Sequence, residues 1–407
     1  MKYLAFLIVV AAVFVFHSSA RAGAYSLEIV AQAGDVIDGR TITGFSGEEL
    51  HLSINNSGEV AFFADVSSGM FVDLGLMTQN RFIAGAGKVL DGRATFFGSE
   101  PHLDMNNRGD VVYRVDFQTG LGRALFVNET LLLENNISVI DGHTLTLINK
   151  AAQINDAGTV LFAAQTSQLD GFWTQNELLL RLGQSFEGNT IESCCGLSIN
   201  NAGEVLFRAK FKELDGQKIF TLTDGIIVGE GDVIDGVIVD KIRSFGLTDA
   251  GEVYMNIIGT DLIHERDAFV ITTDRIVFGP DSSIRGIPDP ILSGDGIVIN
   301  NTGQLAFWGT VDAPGFNGRF DDTRVFLSAA GEVVVAEGDV LDGKVVRFVS
   351  RRFDMNDRGD VVFEVVFEDY SKAVGVATFI PEPSTAALAA TGVLFLLAAR
   401  RKRKGRR

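Results

Sequence analysis

One pattern recurs seven times along the chain: an apolar residue, Asn, Asn or Asp, any residue, Gly, a polar residue, and Val or Leu. The copies are anchored at Asn55, Asn106, Asn155, Asn200, Thr248, Asn300 and Asn356, and their glycines are Gly58, Gly109, Gly158, Gly203, Gly251, Gly303 and Gly359. Thr248 is followed by Asp249, so the fifth copy keeps only the second polar residue of the pair. The mean spacing is about 50 residues. A fixed period of ~20–50 residues means that one supersecondary unit is stacked on copies of itself. That restricts the chain to solenoids, arrays and closed rings.

The seven copies can be compared column by column. Val60, Val111, Val160, Val205, Val253, Leu305 and Val361 stand five places after the anchor, and Phe62, Tyr113, Phe162, Phe207, Met255, Phe307 and Phe363 stand seven after it. Large apolar residues at period two mark a strand. The column between them, Ala61 to Val362, is apolar too, so this strand begins buried on both faces. The next column, Phe63, Arg114, Ala163, Arg208, Asn256, Trp308 and Glu364, turns variable and polar. The Asn-x-x-Gly segment reads as a tight hairpin, Asn offering a side-chain cap and Gly a positive φ. A short strand such as 52–54 precedes it. Third strands follow at 69–74, 123–127, 218–222 and 324–328, and fourth strands at 81–84, 225–228 and 332–336.

A second signature, typified by Gly34-Asp35-Val36-Ile37-Asp38-Gly39, lies about a dozen residues before each hairpin and reads as the connection between units. Four short strands per unit, seven times over, predict an all-β, seven-bladed β-propeller. An open β-solenoid is the competitor, but it needs distinct capping repeats. The repeat is cut out of phase: residues 27–31 occupy a fourth-strand place, while the seventh copy supplies only three strands. The N-terminal strand is therefore expected to pair with 374–380 and complete the last blade.

The termini carry an address. Lys2, an apolar run over 4–16 and Ala20-Arg21-Ala22 fit a secretory signal peptide of residues 1–22 cleaved before Gly23. At the other end Pro381-Glu382-Pro383 leads into the uncharged stretch 386–399 and a run of Arg and Lys. A helix over 384–399 would be short for a bilayer but tolerable with thinning. The basic end stays cytoplasmic by the positive-inside rule. This arrangement over 381–407 resembles the PEP-CTERM sorting signal of bacterial exported proteins. The resemblance implies an exosortase-type sorting enzyme as partner, anchoring by the C-terminal transmembrane helix at least until processing, and a destination in the cell envelope, surface or extracellular matrix. The body, 23–380, resembles a choice-of-anchor family with tandem Asn-x-x-Gly-x-x-x-Phe-x-Ala units, carried here by Asn55 to Ala64, Asn155 to Ala164 and Asn200 to Ala209. That resemblance implies no reaction.

Subtracting nine basic and one acidic residue in the two end segments from the chain's 35 and 52 leaves a body with 26 basic and 51 acidic residues, a net charge near −25. Such a surface repels nucleic acid and anionic lipid. It suits cations, cationic partners or neutral glycans. Cys194 and Cys195 are the only cysteines, so no disulfide framework holds the fold. They can pair with each other, stay reduced or pair between chains.

Three groups of residues carry potential chemistry. The second signature gives an acidic column, Asp38, Asp91, Asp141, Glu187, Asp235 and Asp342, interrupted by Arg285. Six acids brought into one ring would suit Ca²⁺, yet Asp before Gly is also ordinary turn chemistry. His51 and His102 share one place, four residues before the anchor, where the other copies have Ala151, Gly196, Ser244, Gly296 and Arg352. They can line a pocket or bind a metal, but without a third ligand in register they read as surface or strand-end residues. No Gly-x-Ser-x-Gly elbow, His-Glu-x-x-His or phosphate loop is present. The expectation is a non-catalytic binding or scaffolding protein linked to extracellular polysaccharide or a surface protein, with no cofactor. A propeller hydrolase or lyase acting on an extracellular glycan is the alternative.

Overall fold

The structure, a computed structural model, describes residues 25–380 apart from 46–50, 68–71, 99–100, 118–121, 262, 264–266, 281, 283–290, 313–322 and 330. Two compact units are distinguished, one of residues 27–378 and one of 1–26 with 379–407. The signal segment 1–22, Pro381, Glu382 and Pro383, and the helix expected over 384–399 lie outside the described residues. Among the described residues no helix is long and apolar enough to cross a membrane.

Seven antiparallel sheets follow one another through residues 27–378, each a blade of a seven-bladed propeller. Within blade three the order is His143–Ile154, Val160–Thr166, Asp170–Thr174 and Leu178–Arg181, from the axis outward. The first strand is the one that sequence describes least well. Expected to be as short as 52–54, it runs 11–12 residues in blades three, four, five and seven: His143–Ile154, Asn189–Ile199, Val237–Leu247 and Lys344–Met355. Among the described residues it is divided in blades one and two, into Arg40–Gly44 with Leu52–Ile54 and Arg93–Phe96 with Leu103–Met105. The third strand of blade one is also displaced from the expected 69–74, to Val72–Thr78.

Each described second signature forms a strand of its own. In blade three Val139 pairs with Thr144 and Ile140 with His143, leaving Asp141 and Gly142 as a two-residue turn. Their φ angles are 50° and 77°, the two positive values that a type I′ turn requires. The same geometry holds at Asp38, Asp91, Glu187, Asp235 and Asp342, all with φ of 48–50°. Arg285 lies outside the described residues.

The last blade is closed by the N-terminal strand, as its phase requires. Tyr25–Gln32 is hydrogen-bonded to Lys372–Phe379, giving the order Tyr25–Gln32, Lys372–Phe379, Val361–Phe367, Lys344–Met355.

The core lies between blades rather than in one centre. Phe62, Val60 and Ala64 pack toward blade seven with Val362, Val374 and Ala31, whereas Ala61 and Phe63, on the other face of the same strand, pack toward blade two with Tyr113, Val115 and Phe126. Burying each such aromatic or aliphatic side chain contributes about 1.5–3 kcal/mol. The variable column after Phe62 is not a solvent-facing one. Phe63, Asn256, Trp308 and Glu364 are all buried, because that column meets the next blade.

Candidate functional site

The Asn-x-x-Gly turns of all seven blades meet at one end of the axis. Locally each is a five-residue loop. Asn55 N–H donates to the Glu59 carbonyl at 3.0 Å, its Oδ1 accepts from the N–H groups of Ser57 and Glu59 at 3.0 and 2.9 Å, and Gly58 takes φ of 85°. All seven glycines have φ between 78° and 85°, so a side chain there would be strained.

Between blades the second residue of each pair does what its sequence does not announce. Asn56 N–H donates to Asn107 Oδ1, Asn107 to Asp156, Asp156 to Asn201, Asn201 to Asp249, Asp249 to Asn301, Asn301 to Asp357, and Asp357 back to Asn56, every bond being 2.7–2.9 Å. These bonds close a circle. A parallel set joins the anchors: the Nδ2 groups of Asn106, Asn155, Asn200, Asn300 and Asn356 donate to the anchor carbonyl of the following blade at 2.9–3.1 Å. Thr248 has no amide to give.

Just inside this crown lies a cavity of about 280 Å³, lined by residues of every blade. Its carboxylates are engaged. Asp104 Oδ2 accepts from Ile154 N–H at 2.8 Å and Asp354 Oδ2 from Ile54 N–H at 3.1 Å and Ser53 Oγ at 2.9 Å, and Gln153 Oε1 fills the same place toward Ile199. Burial raises both acids, Asp104 to about 6, with Asp354 adding a like-charge contribution there.

Farther along the axis the innermost strand bulges at a corresponding place in blades three to seven. Register shifts fall between Ile148 and Ala152, Cys194 and Gly196, Ile242 and Ser244, Asp295 and Ile297, and Val349 and Phe353. Bulges re-aim side chains. Here they present Arg243 and Arg351, both exposed, and half-buried Arg352. Neighbouring blades hold the bulges: Arg208 Nη1 donates to the carbonyls of Ile242 and Arg243 at 2.9 Å, and Trp308 Nε1 to that of Val349 at 2.8 Å. The Arg351 guanidinium lies over the Trp308 ring, 4.8 Å from its centroid.

At this level stand the two histidines. They stand immediately before the strands Leu52–Ile54 and Leu103–Met105, and their rings lie tilted at 48° to each other with centroids 3.9 Å apart. Burial, then the neighbouring charges, pushes His51 down to about 2; burial and Arg352 push His102 down to about 4. Both are neutral at neutral pH. The acidic column does not gather here. Asp141 and Glu187 instead reach their own outermost strands, accepting from Leu178 N–H at 2.8 Å and Ile226 N–H at 3.4 Å. Among the described residues no group of three or more His, Cys, Asp or Glu is placed to hold a metal. Half-buried Cys194 sits at the blade-four bulge with Sγ 3.1 Å from the Arg208 carbonyl. The bulge arginines were not legible as a site. Their only signal was the divergence of the copies at His51, His102, Ser244 and Arg352 within an otherwise regular repeat.

Residues 379–404 match the PEP-CTERM protein-sorting motif. The chain is an exported, membrane-anchored precursor. That motif is the recognition signal of exosortase-type enzymes, and its match agrees with the resemblance of the C-terminal residues. No curated protein matches the chain. Among solved structures it is similar to a gluconolactonase, XC5397 from Xanthomonas campestris, at 8% identity over 87% of this chain and 100% of that one, with a TM-score of 0.33. The polysaccharide lyase Uly1 is 8% identical over 86% and 94% with a TM-score of 0.40. The WD40 domain of SCAP from fission yeast is 9% identical over 87% and 94% with a TM-score of 0.30. Likeness at this level carries no functional argument.

Proposed function

We propose that this protein is a non-catalytic binding module of the cell surface or extracellular matrix, a rigid propeller that holds an extracellular polysaccharide or surface protein in its channel, and that its body belongs to the tandem-repeat family it resembles. The observation that carries this reading is the use to which the buried channel carboxylates are put. Asp104 and Asp354 each accept a backbone N–H from the next blade, so they hold the ring together rather than stand free for proton transfer. Neutral His51 and His102 face each other, their ring centroids 3.9 Å apart. General acid–base catalysis needs a group poised within hydrogen-bond reach of substrate.

The glycan hydrolase or lyase reading has one observation in its favour, Asp104 raised to about 6, a value suited to an acid. Its two carboxylate oxygens are both engaged, with Ile154 and Met105. The deciding experiment incubates the purified full chain in mild detergent with polysaccharide from the producing cells, measuring retention and new reducing or unsaturated ends. Retention without cleavage is expected. Turnover abolished by Asp104→Asn would overturn the binding-only reading.

A further inference from the structure

Two imidazoles from adjacent blades are held at one height by the register of their sheets. His51 and His102 each precede the inner strand segment of their blade, and those segments pair alike with the second strands, Leu52 opposite Phe62 and Leu103 opposite Tyr113. The ring centroids are therefore 3.9 Å apart, with the planes tilted by 48°. Both residues are half-buried, and His102 Nδ1 is a buried atom with no hydrogen-bond partner. Buried polar atoms are nearly always satisfied. A bare imidazole nitrogen beside a second imidazole points to a group that bonds to both.

A neutral imidazole carries one N–H and one lone pair. Burial keeps both rings neutral at neutral pH, so protons do not compete for those lone pairs. Metal–nitrogen bonds of ~2.0–2.1 Å set two imidazole nitrogens of a tetrahedral ion about 3.3 Å apart. Rings with centroids 3.9 Å apart reach that separation by turning about their Cβ–Cγ bonds. The charged residue in the same column is Arg352 of blade seven, which borders blade one and repels cations. An ion here is held by its bonds to nitrogen rather than by the local field. That disfavours Ca²⁺ and Mg²⁺, which seek oxygen, and favours Cu²⁺ and Zn²⁺. Among the described residues no third His, Cys, Asp or Glu joins the pair, so the remaining coordination positions fall to water or an exchangeable ligand.

The place also gives such an ion a structural part. Asn55 is not among the five anchors whose Nδ2 crosses to the following blade, and Asn56 Nδ2 turns back to Asp357 of blade seven at 2.7 Å. The junction of blades one and two thus keeps the crown bond from Asn56 N–H to Asn107 Oδ1 without the anchor bond that reinforces five of its counterparts.

We propose that His51 and His102 form a two-imidazole site for a transition-metal ion of the Cu²⁺ or Zn²⁺ class, bridging blades one and two and leaving coordination positions open. This goes beyond the binding reading above and does not depend on what the channel holds.

The test is equilibrium titration of the untagged full chain, in mild detergent, with Cu²⁺, Zn²⁺ and Ca²⁺. One Cu²⁺ or one Zn²⁺ per chain is expected to bind saturably, each displacing the other, with Ca²⁺ displacing neither. His51→Phe and His102→Phe keep an aromatic ring in the contact, so both should melt close to the parent chain without metal. Each removes a ligand and should weaken binding by more than the ~10–100-fold that loss of a supporting residue costs. His143→Phe, at the ring that packs on Trp173, should bind as the parent does. Electron paramagnetic resonance of the Cu²⁺ form reads the ligands directly: coupling to two imidazole nitrogens is expected, and to one in either single variant. Binding that survives in the double variant, or that falls equally in His143→Phe, would mean an adventitious ion only and would overturn the site. So would displacement by Ca²⁺, or no saturable binding at all.

Discussion

Asn155 illustrates how one side chain serves two levels of structure. Its Oδ1 accepts from Thr159 N–H at 2.8 Å inside the turn, and its Nδ2 donates to the Asn200 carbonyl at 3.1 Å in the next blade. Only the first role is legible from the motif, since it is local; the second depends on where the neighbouring copy comes to rest. Asn155→Ala should therefore cost about 1–3 kcal/mol, the penalty of leaving buried groups unsatisfied, read as a lower denaturation midpoint without loss of secondary structure. Gly158→Val should cost stability through the backbone, because φ is 84° there, while Arg108 Nη2, 2.6 Å from the new Cβ, is the end of a flexible side chain that can move aside. Full stability of that variant would mean that the turn geometry is wrong. Thr248→Asn points the other way. It restores the amide missing from the anchor set and should stabilise by about 0.5–1.5 kcal/mol if the Asn300 carbonyl is met. Protonation gives opposite signs at two sites. His51 and His102 have folded pKa values below the usual 6.5, so their contribution is complete above that pH and is lost as pH falls toward about 4 and below. Asp104, raised to about 6, contributes stability that is full below the ordinary carboxylate range and lost as pH rises toward 6. Denaturation midpoints between pH 4 and 6.5 should therefore depend less steeply on acidification in His102→Gln and more steeply in Asp104→Asn.

The elements divide by how local their causes are. The strand Val160–Thr166 and its six counterparts were readable because period-two apolar columns, such as Val160 and Phe162, need no knowledge of neighbours. The type I′ hairpin was half readable: Asp141-Gly142 announced a turn, but not that Val139 and Ile140 would pair with the start of the innermost strand. The long innermost strand was missed because its bulge interrupts the alternation near Ile148 and Ala152, and the bulge is where the candidate site lies. The acidic column follows from the hairpin. With φ near 49° at Asp38, Asp91, Asp141, Asp235 and Asp342, these residues are explained by backbone geometry, since Asp tolerates that region better than most. Removing Ca²⁺ should accordingly change folding little. Thermal melts with and without chelator test this, and a fall of about 10 °C or more on chelation would reveal a linked metal site.

For the whole molecule the question is what keeps a seven-bladed ring from opening, and its closure rests on contacts between residues about 300 positions apart in sequence. Asp357 N–H donates to Asn56 Oδ1 at 2.8 Å, Asn356 Nδ2 to the Asn55 carbonyl at 2.9 Å, and Ile54 N–H to Asp354 Oδ2 at 3.1 Å. Those bonds tie blade seven to blade one at the axis. At the rim the tie is covalent: the strand from Tyr25 to Gln32 finishes blade seven and continues directly into Val36–Ile37 of blade one. Ala31 buries completely in the same core as Val374, Val376 and Phe62, so the strand contributes packing as well as its ladder. Deleting residues 23–33 leaves the axial bonds in place but exposes Lys372–Phe379 as a free edge beside uncovered apolar side chains. The expected outcome is a fall in stability well beyond the ~1 kcal/mol of a single hydrogen bond, with concentration-dependent aggregation seen by light scattering. Trimming only residues 23 and 24 should do neither, because both precede the strand. A variant lacking 23–33 that melts with the intact chain and stays monodisperse would mean that the axial crown alone closes the ring, and that the phase shift of the repeat is not what secures it.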